Sequence, residues 1–205
     1  MSLDLDQKYY AEGYQLIVGT DEAGRGCLLG PVFAAAVILP RDFNSSLIND
    51  SKQLSANKRE AAFELITKNA LAYAITSICP EEIDEINILN ASRKAMQKAI
   101  AQLNHKYDLI LTDAMKMKDY PVPVISVIHG DALSQSIAAA SILAKVARDR
   151  YCEEIDKKFP LYHIAKHKGY GTKDHLEALK RYGPIKHLHR FSYAPVKACL
   201  IEKYL

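Results

Sequence analysis

No apolar run in the 205-residue sequence is long and unbroken. The longest, Cys27 to Pro40, is interrupted by Gly30 and Pro31, which excludes a transmembrane helix of about 20 apolar residues. The first residues, MSLDLDQKYY, are acidic and polar and lack the charged-then-apolar pattern of a secretory signal. Cysteines number only four, at positions 27, 79, 152 and 199, and no two form a C-x-x-C pair. That scatter argues against a disulfide frame or a zinc site and leads to the expectation of reduced thiols in a cytoplasmic protein with no membrane attachment. Repeats, low-complexity tracts and linkers are absent as well. With 49% hydrophobic and 25% charged residues, the chain reads as a single α/β domain over 1–205.

Charge of one sign is scarce overall but not locally. The formal net charge is +3, yet the stretch from Tyr162 to Lys197 holds eight Lys and Arg against Asp174 and Glu177, a local +6 that leaves −3 for the rest. Tyrosines and histidines are interleaved with these lysines, a composition suited to a polyanionic partner, although a merely solvated basic face would look the same. A basic, helical C-terminal extension from about residue 160 is expected on this basis.

Five short apolar runs read as strands. YQLIVGTDE (14–22), YDLILTD (107–113) and VPVISVIHGD (122–131) each pass into an acid, and PVFAAAVILP (31–40) and LAYAITSI (71–78) supply two more. The second in chain order, at 31–40, follows soon after Gly30 and should run antiparallel to the first. Helical periodicity marks 55–70 with Ser55 as N-cap, 80–86 with proline in its first turn, 90–104, a long and largely buried helix over about 132–158, and shorter helices over 173–183 and 194–205. Strands first, then strand and helix alternating, predict a mixed five-stranded sheet flanked by helices.

Sites in open α/β sheets form at the carboxyl ends of strands, and three strands here deliver Asp21 with Glu22, Asp113 and Asp131. A single acid in such a place reads equally well as a turn former or helix cap; recurrence on three strands favours a cluster. Clustered carboxylates without Cys or His at metal spacing suit Mg²⁺ or Mn²⁺. Asp149 competes with Asp131 for the fourth place, but along one continuous helix the two would lie about 27 Å apart, so only one can join the group. Asp131, at the strand end, is preferred, and Asp149 is read with Lys145 and Arg148 as a supporting polar face. Four carboxylates and two divalent ions match in-line phosphodiester hydrolysis. A glycosidase-like acid and base pair at Asp21 and Glu22 is the rival, disfavoured because neighbouring strand residues point to opposite faces.

The strings DEAGRG (21–26), DSKQLS (50–55), TDA (112–114), GDALSQSIAAASILAKVARD (130–149), HKGYGT (167–172) and HRFSYAPV (189–196), in this order, resemble bacterial ribonuclease HII over nearly the whole chain. The resemblance implies a ribonuclease H-like fold with a helical C-terminal extension and a monomeric endonuclease. Its substrates would be RNA–DNA hybrids and duplex DNA carrying single ribonucleotides. It further implies that Asp21, Glu22, Asp113 and Asp131 bind the metals, that Gly24, Arg25 and Gly26 read the ribose 2′-hydroxyl and its phosphate, and that Tyr170 stacks on the neighbouring deoxyribose. Lys52, Lys145 and Arg148 match positions near the nucleic-acid backbone. Three residues depart from the family's pattern: Ala114 for glycine, His129 for lysine and Phe191 for a basic residue. None of them removes a carboxylate.

Overall fold

The computed structural model describes residues 4–48 and 54–201. Its five strands are β1 (Ile17–Ala23), β2 (Val32–Ile38), β3 (Ala72–Ile78), β4 (Leu109–Asp113) and β5 (Val124–Val127), in the spatial order β3-β2-β1-β4-β5. β2 runs antiparallel to both β1 and β3, while β1, β4 and β5 are mutually parallel. The parallel trio matters for function, because their carboxyl ends lie along one edge of the sheet and carry Asp21, Glu22 and Asp113 to it.

Helices cover both faces. On one face α3 (Pro80–Ile86) and α4 (Ile88–Ala101) bury Ile83, Ala95, Met96 and Ile100 against Val18, Ala34, Ala36 and Ile110. On the other, α2 (Ala56–Asn69) and α5 (Gln135–Lys158) pack against Ala35 and Val37. Residues 135–144 of α5 are buried without exception, as an apolar helix covered on all sides requires. A short helix, α1 (Leu5–Ala11), which the polar opening residues do not advertise, lies beside the start of α5. From it Asp6 accepts from the Ser136 amide (2.8 Å) and hydroxyl (2.7 Å) and from the Ser134 hydroxyl.

Several boundaries differ from the sequence reading. α4 begins at Ile88 because the Asn87 side chain caps it, accepting from the Asn90 amide. The long helix begins at Gln135, capped by the Ser134 hydroxyl, and Asp131 precedes it in a separate 3₁₀ turn, Gly130–Ala132. Ser55 does cap α2. The C-terminal part is helical: α6 (Ile164–His167), α7 (Lys173–Tyr182) and α8 (Ala194–Ile201), joined to the body through Leu28 and Leu29. Among the described residues no helix is long and apolar enough to cross a membrane.

β1 and α5 meet backbone to backbone. A Cβ at Gly19 would stand 2.1 Å from the Ser136 carbonyl carbon and 2.5 Å from the Ile137 nitrogen, so only glycine lets the helix approach this closely. Gly19→Ala is therefore expected to cost about 3 kcal/mol, read from the urea midpoint, since the obstacle is rigid backbone. A loss below about 1 kcal/mol would show that α5 can move away without penalty.

Candidate active site

The sheet edge opens into a cleft of about 330 Å³ lined by Asp21, Glu22, Gly24, Arg25, Gly26, Asp113, Ser141, Lys145 and Tyr170. Asp21 sits at its floor, 5% exposed. It accepts a hydrogen bond from the Glu22 amide (2.7 Å) and is hydrogen-bonded to Ser141 of α5. Burial, then the Glu22 carboxylate, then Asp113, push Asp21 well above the usual carboxylate range, and the Ser141 and amide hydrogen bonds oppose this only in part. Burial also raises Glu22; the Arg25 guanidinium, 3.2 Å from its Oε1, opposes the rise and Asp113 adds to it. Asp113 Oδ1 accepts from the Gly130 amide at 2.8 Å, which ties the end of β4 to the turn that carries Asp131. Asp131 itself is buried in that turn and does not line the cleft.

Strand alternation does not separate Asp21 from Glu22 as the sequence reading expected. They occupy successive pleats of β1, yet both carboxylates line the cleft. That argument against an acid–base pair of the glycosidase kind therefore falls.

The donor set suits a hard cation. Glu22 Oε2 is buried with no hydrogen-bond partner among the described residues, an oxygen left for a ligand outside the chain. Among the described residues no three His, Cys, Asp or Glu side chains are placed to hold a metal ion by themselves, so water or substrate oxygens would have to complete any shell here. An open set of carboxylates is what Mg²⁺-type ions use, since they keep waters and substrate oxygens in their shell.

Other residues fall into distinct roles. Gly24 is required by the protein itself: its φ is +98°, and a Cβ would lie 2.1 Å from Arg148 Nε. Gly26 has no such constraint, and a Cβ there would meet nothing within 4 Å, so any reason for glycine lies outside the chain. Tyr170 is 44% exposed on the cleft wall, and its strand-like bridge to Cys27 and the bond from the Leu28 amide to the Gly169 carbonyl (2.8 Å) hold it beside the Gly24–Gly26 loop. Lys145 reaches the cleft in contact with Asp149, which Arg59 also approaches at 3.7 Å. Ala114, where the resembled family commonly has glycine, takes a left-handed φ of +47°.

Two expectations need correction. Arg148 is 1% exposed and donates to the carbonyls of Lys168 (2.7 Å) and Leu29 (3.2 Å). It braces the loops from within and presents no charge to a nucleic-acid backbone. The basic C-terminal stretch is likewise only partly a free cationic face: Lys180, Arg181, Lys186 and Lys197 are exposed, but Lys166, Lys168 and Lys173 pair with Asp174, Glu153 and Glu177, and Arg190 is fully buried. Arg190 instead holds the Arg25 carbonyl (2.9 Å) and the Gly30 carbonyl (2.9 Å), with Tyr193 donating to the same Arg25 oxygen (2.6 Å). Neither this clamp nor Ser141 was singled out from sequence; the lone serine in the apolar stretch SILAK was the available signal for Ser141. Lys52 lies outside the described residues.

A family model described as Ribonuclease HII matches residues 18–196. The chain is 53% identical over 188 residues to a Ribonuclease HII of Caldanaerobacter subterraneus subsp. tengcongensis, covering 92% of this chain and 78% of that one. It is 51% identical over 199 residues to a Ribonuclease HII of Acholeplasma laidlawii, covering 97% of each. Among solved structures, ribonuclease H2 from Pyrococcus horikoshii OT3 matches with a TM-score of 0.79 at 25% identity, over 92% of this chain and 98% of that one. Bst-RNase HIII in complex with Mn²⁺ matches with a TM-score of 0.75 at 18% identity, over 98% and 74%, a likeness of fold alone.

Two outcomes are expected. In EDTA, Asp21→Asn should be more stable than the parent at pH 7.5 by at least about 1 kcal/mol, because a buried, repelled carboxylate is removed. Since the folded protein raises Asp21 above its ordinary value of 3.8, that carboxylate costs nothing below this pH and costs progressively more as pH rises, so the gap between the two melting curves should widen from pH 4 to pH 8. A constant gap would place the effect elsewhere. Separately, Gly26→Ala should leave the melting temperature unchanged while lowering cleavage of nucleic acid, and Gly24→Ala should lower both. Equal destabilisation by the two would show that Gly26 serves the fold.

Proposed function

The chain belongs to the ribonuclease HII family of ribonuclease H hydrolases, and from that premise we propose an endoribonuclease that cuts the RNA strand of RNA–DNA hybrids and cuts 5′ of single ribonucleotides embedded in duplex DNA. Hydrolysis forms a bond from water oxygen to phosphorus and breaks the bond to the 3′ oxygen, leaving 5′-phosphate and 3′-hydroxyl ends. Such an activity serves ribonucleotide removal from DNA and RNA primer removal.

The observation that carries this reading is the joint lining of one cleft by Asp21, Glu22 and Asp113, the Gly24-Arg25-Gly26 loop and Tyr170. Asp21, Glu22, Asp113 and, from the adjoining turn, Asp131 would hold two divalent ions, Mg²⁺ or Mn²⁺. When bound, such ions lower the pKa of a water and offset charge on the leaving oxygen. The remaining work belongs to the chain. Without a side chain at Gly26, backbone groups can come within hydrogen-bonding distance of a 2′-hydroxyl, which both donates and accepts. Arg25 extends from Glu22 toward the open face of the cleft, where a phosphate would meet its guanidinium. The Tyr170 ring, exposed beside the Gly24–Gly26 loop, would lie against the next sugar, where a deoxyribose fits and a second 2′-hydroxyl would collide. Lys145, steadied by Asp149, adds a phosphate contact.

Two other readings make different demands. A module that binds hybrids without cutting gains nothing from carboxylates that repel phosphate. A transposase-like nuclease would need the acids but not the 2′-hydroxyl. The test is a cleavage assay on a DNA duplex with one ribonucleotide, the same duplex without it, and a continuous hybrid, each in Mg²⁺, in Mn²⁺ and in EDTA. The first and third substrates should be cut with either ion and not in EDTA, and Tyr170→Ala should slow the single-ribonucleotide duplex by about tenfold or more. Equal cutting of the all-DNA duplex would establish the transposase-like reading, and binding without cutting would establish the module.

A further inference from the structure

Three histidines behind Tyr170 take no part in the chemistry described above, yet all three are buried: His167 at 6% exposure, His175 at 0% and His189 at 1%. The His167 and His175 rings stack with centroids 4.2 Å apart, and His189 tilts against His175 at 5.4 Å. Each of the six ring nitrogens has one polar neighbour, and the backbone neighbours determine where the protons sit. A peptide N–H can only donate and a carbonyl can only accept.

The chain of assignments begins at Ile185, whose amide lies 2.8 Å from His189 Nδ1, so that nitrogen is bare and the neutral ring carries its proton on Nε2. His189 Nε2 is 3.1 Å from His175 Nε2, which must then accept, leaving the His175 proton on Nδ1. That proton points to the Tyr170 carbonyl at 2.9 Å. Independently, the Gly169 amide donates to His167 Nδ1 (3.1 Å), so His167 donates from Nε2 to the Tyr162 carbonyl (2.8 Å). Two of the rings thus grip adjacent residues, one taking the Gly169 N–H and the other giving to the Tyr170 carbonyl.

We propose that His189 and His175 are positioning residues: a one-directional relay of hydrogen bonds, Ile185 to His189 to His175 to Tyr170, that sets where the exposed tyrosine ring stands against the sugar. The proposal rests on the reading of Tyr170 given above. A second contact supports it from the ring side, since the Tyr170 hydroxyl is hydrogen-bonded to the Cys27 thiol, so both ends of the residue are held while one ring face stays open to the cleft. The relay works only with neutral rings, because a proton added to His175 would set N–H against N–H at 3.1 Å, and one added to His189 would set its Nδ1–H against the Ile185 N–H at 2.8 Å. Burial accordingly lowers His175 to about 4 and His189 to about 3, the neighbouring histidine adding to the effect in each. Around His167 lie Asp156, Asp174 and His163, which modulate that ring, and the Tyr162 and Tyr182 rings complete the surroundings.

The arrangement makes a spectroscopic prediction that needs no variant and no activity. Long-range ¹H–¹⁵N spectra of the intact protein at pH 7 should show His175 as the Nδ1–H tautomer, the less common form in water, and His189 as Nε2–H, with neither titrating between pH 8 and pH 5.5. Finding His175 as Nε2–H, or titrating near its ordinary value of 6.5, would overturn the relay.

The functional arm measures kcat/KM on the single-ribonucleotide duplex relative to the continuous hybrid. His175→Phe keeps the stacking and volume but neither hydrogen bond, and it should lower this ratio about tenfold, the scale of one lost buried hydrogen bond. His175→Asn, whose amide takes the place of Nδ1, should recover most of it. In a Tyr170→Ala background His175→Phe should add nothing. If Tyr170→Ala leaves the ratio unchanged, the junction-reading role of the tyrosine fails and the proposal falls with it. If Tyr170→Ala lowers the ratio while folded His175→Phe does not, only the relay fails. Should His175→Phe not fold, the tautomers decide.

Discussion

The contact on which the rest depends is the meeting of β1 and α5 at Gly19 and Ser136. β1 brings Asp21 and Glu22, and α5 brings Ser141 and Lys145, to the same cleft, and they share it only because two backbones touch with no side chain between them. The first turn of α5 is held in turn by Asp6, whose carboxylate receives the Ser136 amide and two hydroxyls. Burial raises Asp6 while the serine hydrogen bonds oppose the rise, so the cost of burying this carboxyl is partly returned at the helix start. A helix buried on all sides cannot shift without disturbing both of its neighbours, and the floor of the cleft is correspondingly rigid.

Above that floor the cleft is a balance of charges held apart. Glu22 and Asp113 raise the cost of ionising Asp21, Asp113 raises that of Glu22, and one guanidinium, Arg25, answers only part of it at Glu22. Two further arginines, Arg148 and Arg190, spend their hydrogen bonds on carbonyl oxygens of the surrounding loops. A guanidinium presents several donors in a fixed plane, so a single buried arginine can tie separate segments together where no regular ladder exists. Arg148 joins the segments around Leu29 and Lys168, and Arg190 joins those around Arg25 and Gly30. The C-terminal helices are thereby part of the site's wall.

This division of labour changes the meaning of the basic C-terminal stretch. Its local +6 is real as a count. In space, three lysines are answered by nearby acids, one arginine is internal, and the histidines form a neutral interior cluster. Surface ion pairs of this kind contribute little stability individually. Asp174 and Glu177 are already part of that +6, so only Glu153 and the burial of Arg190 bring the free positive charge below the count in the sequence.

Much of the architecture was legible in the order of residues alone. Short apolar runs located all five strands, and the acids that follow three of them pointed to one sheet edge, because parallel strands present their carboxyl ends together. The Gly-Arg-Gly loop and the tyrosine between glycines were singled out through the family resemblance, since a tyrosine between glycines by itself reads as a turn. Other features depended on contacts between distant segments. Helical arithmetic put Arg148 beside Lys145 and Asp149 on a polar face, but the C-terminal helices pack over that side of α5 and enclose it. Asp131 reads as the end of a strand that passes straight into the long helix; in space the strand ends at Val127, the Ser134 cap, secured by Asp6 from 128 residues away in sequence, starts the helix at Gln135, and Asp131 lies in a 3₁₀ turn between them. The two glycines of the loop are identical in sequence, and only the position of Arg148 distinguishes the one the fold requires from the one it leaves open. Periodicity and composition are local and survive in the sequence; burial, tautomer and the direction in which an arginine points are set by groups far along the chain, so they exist only once the chain has closed on itself.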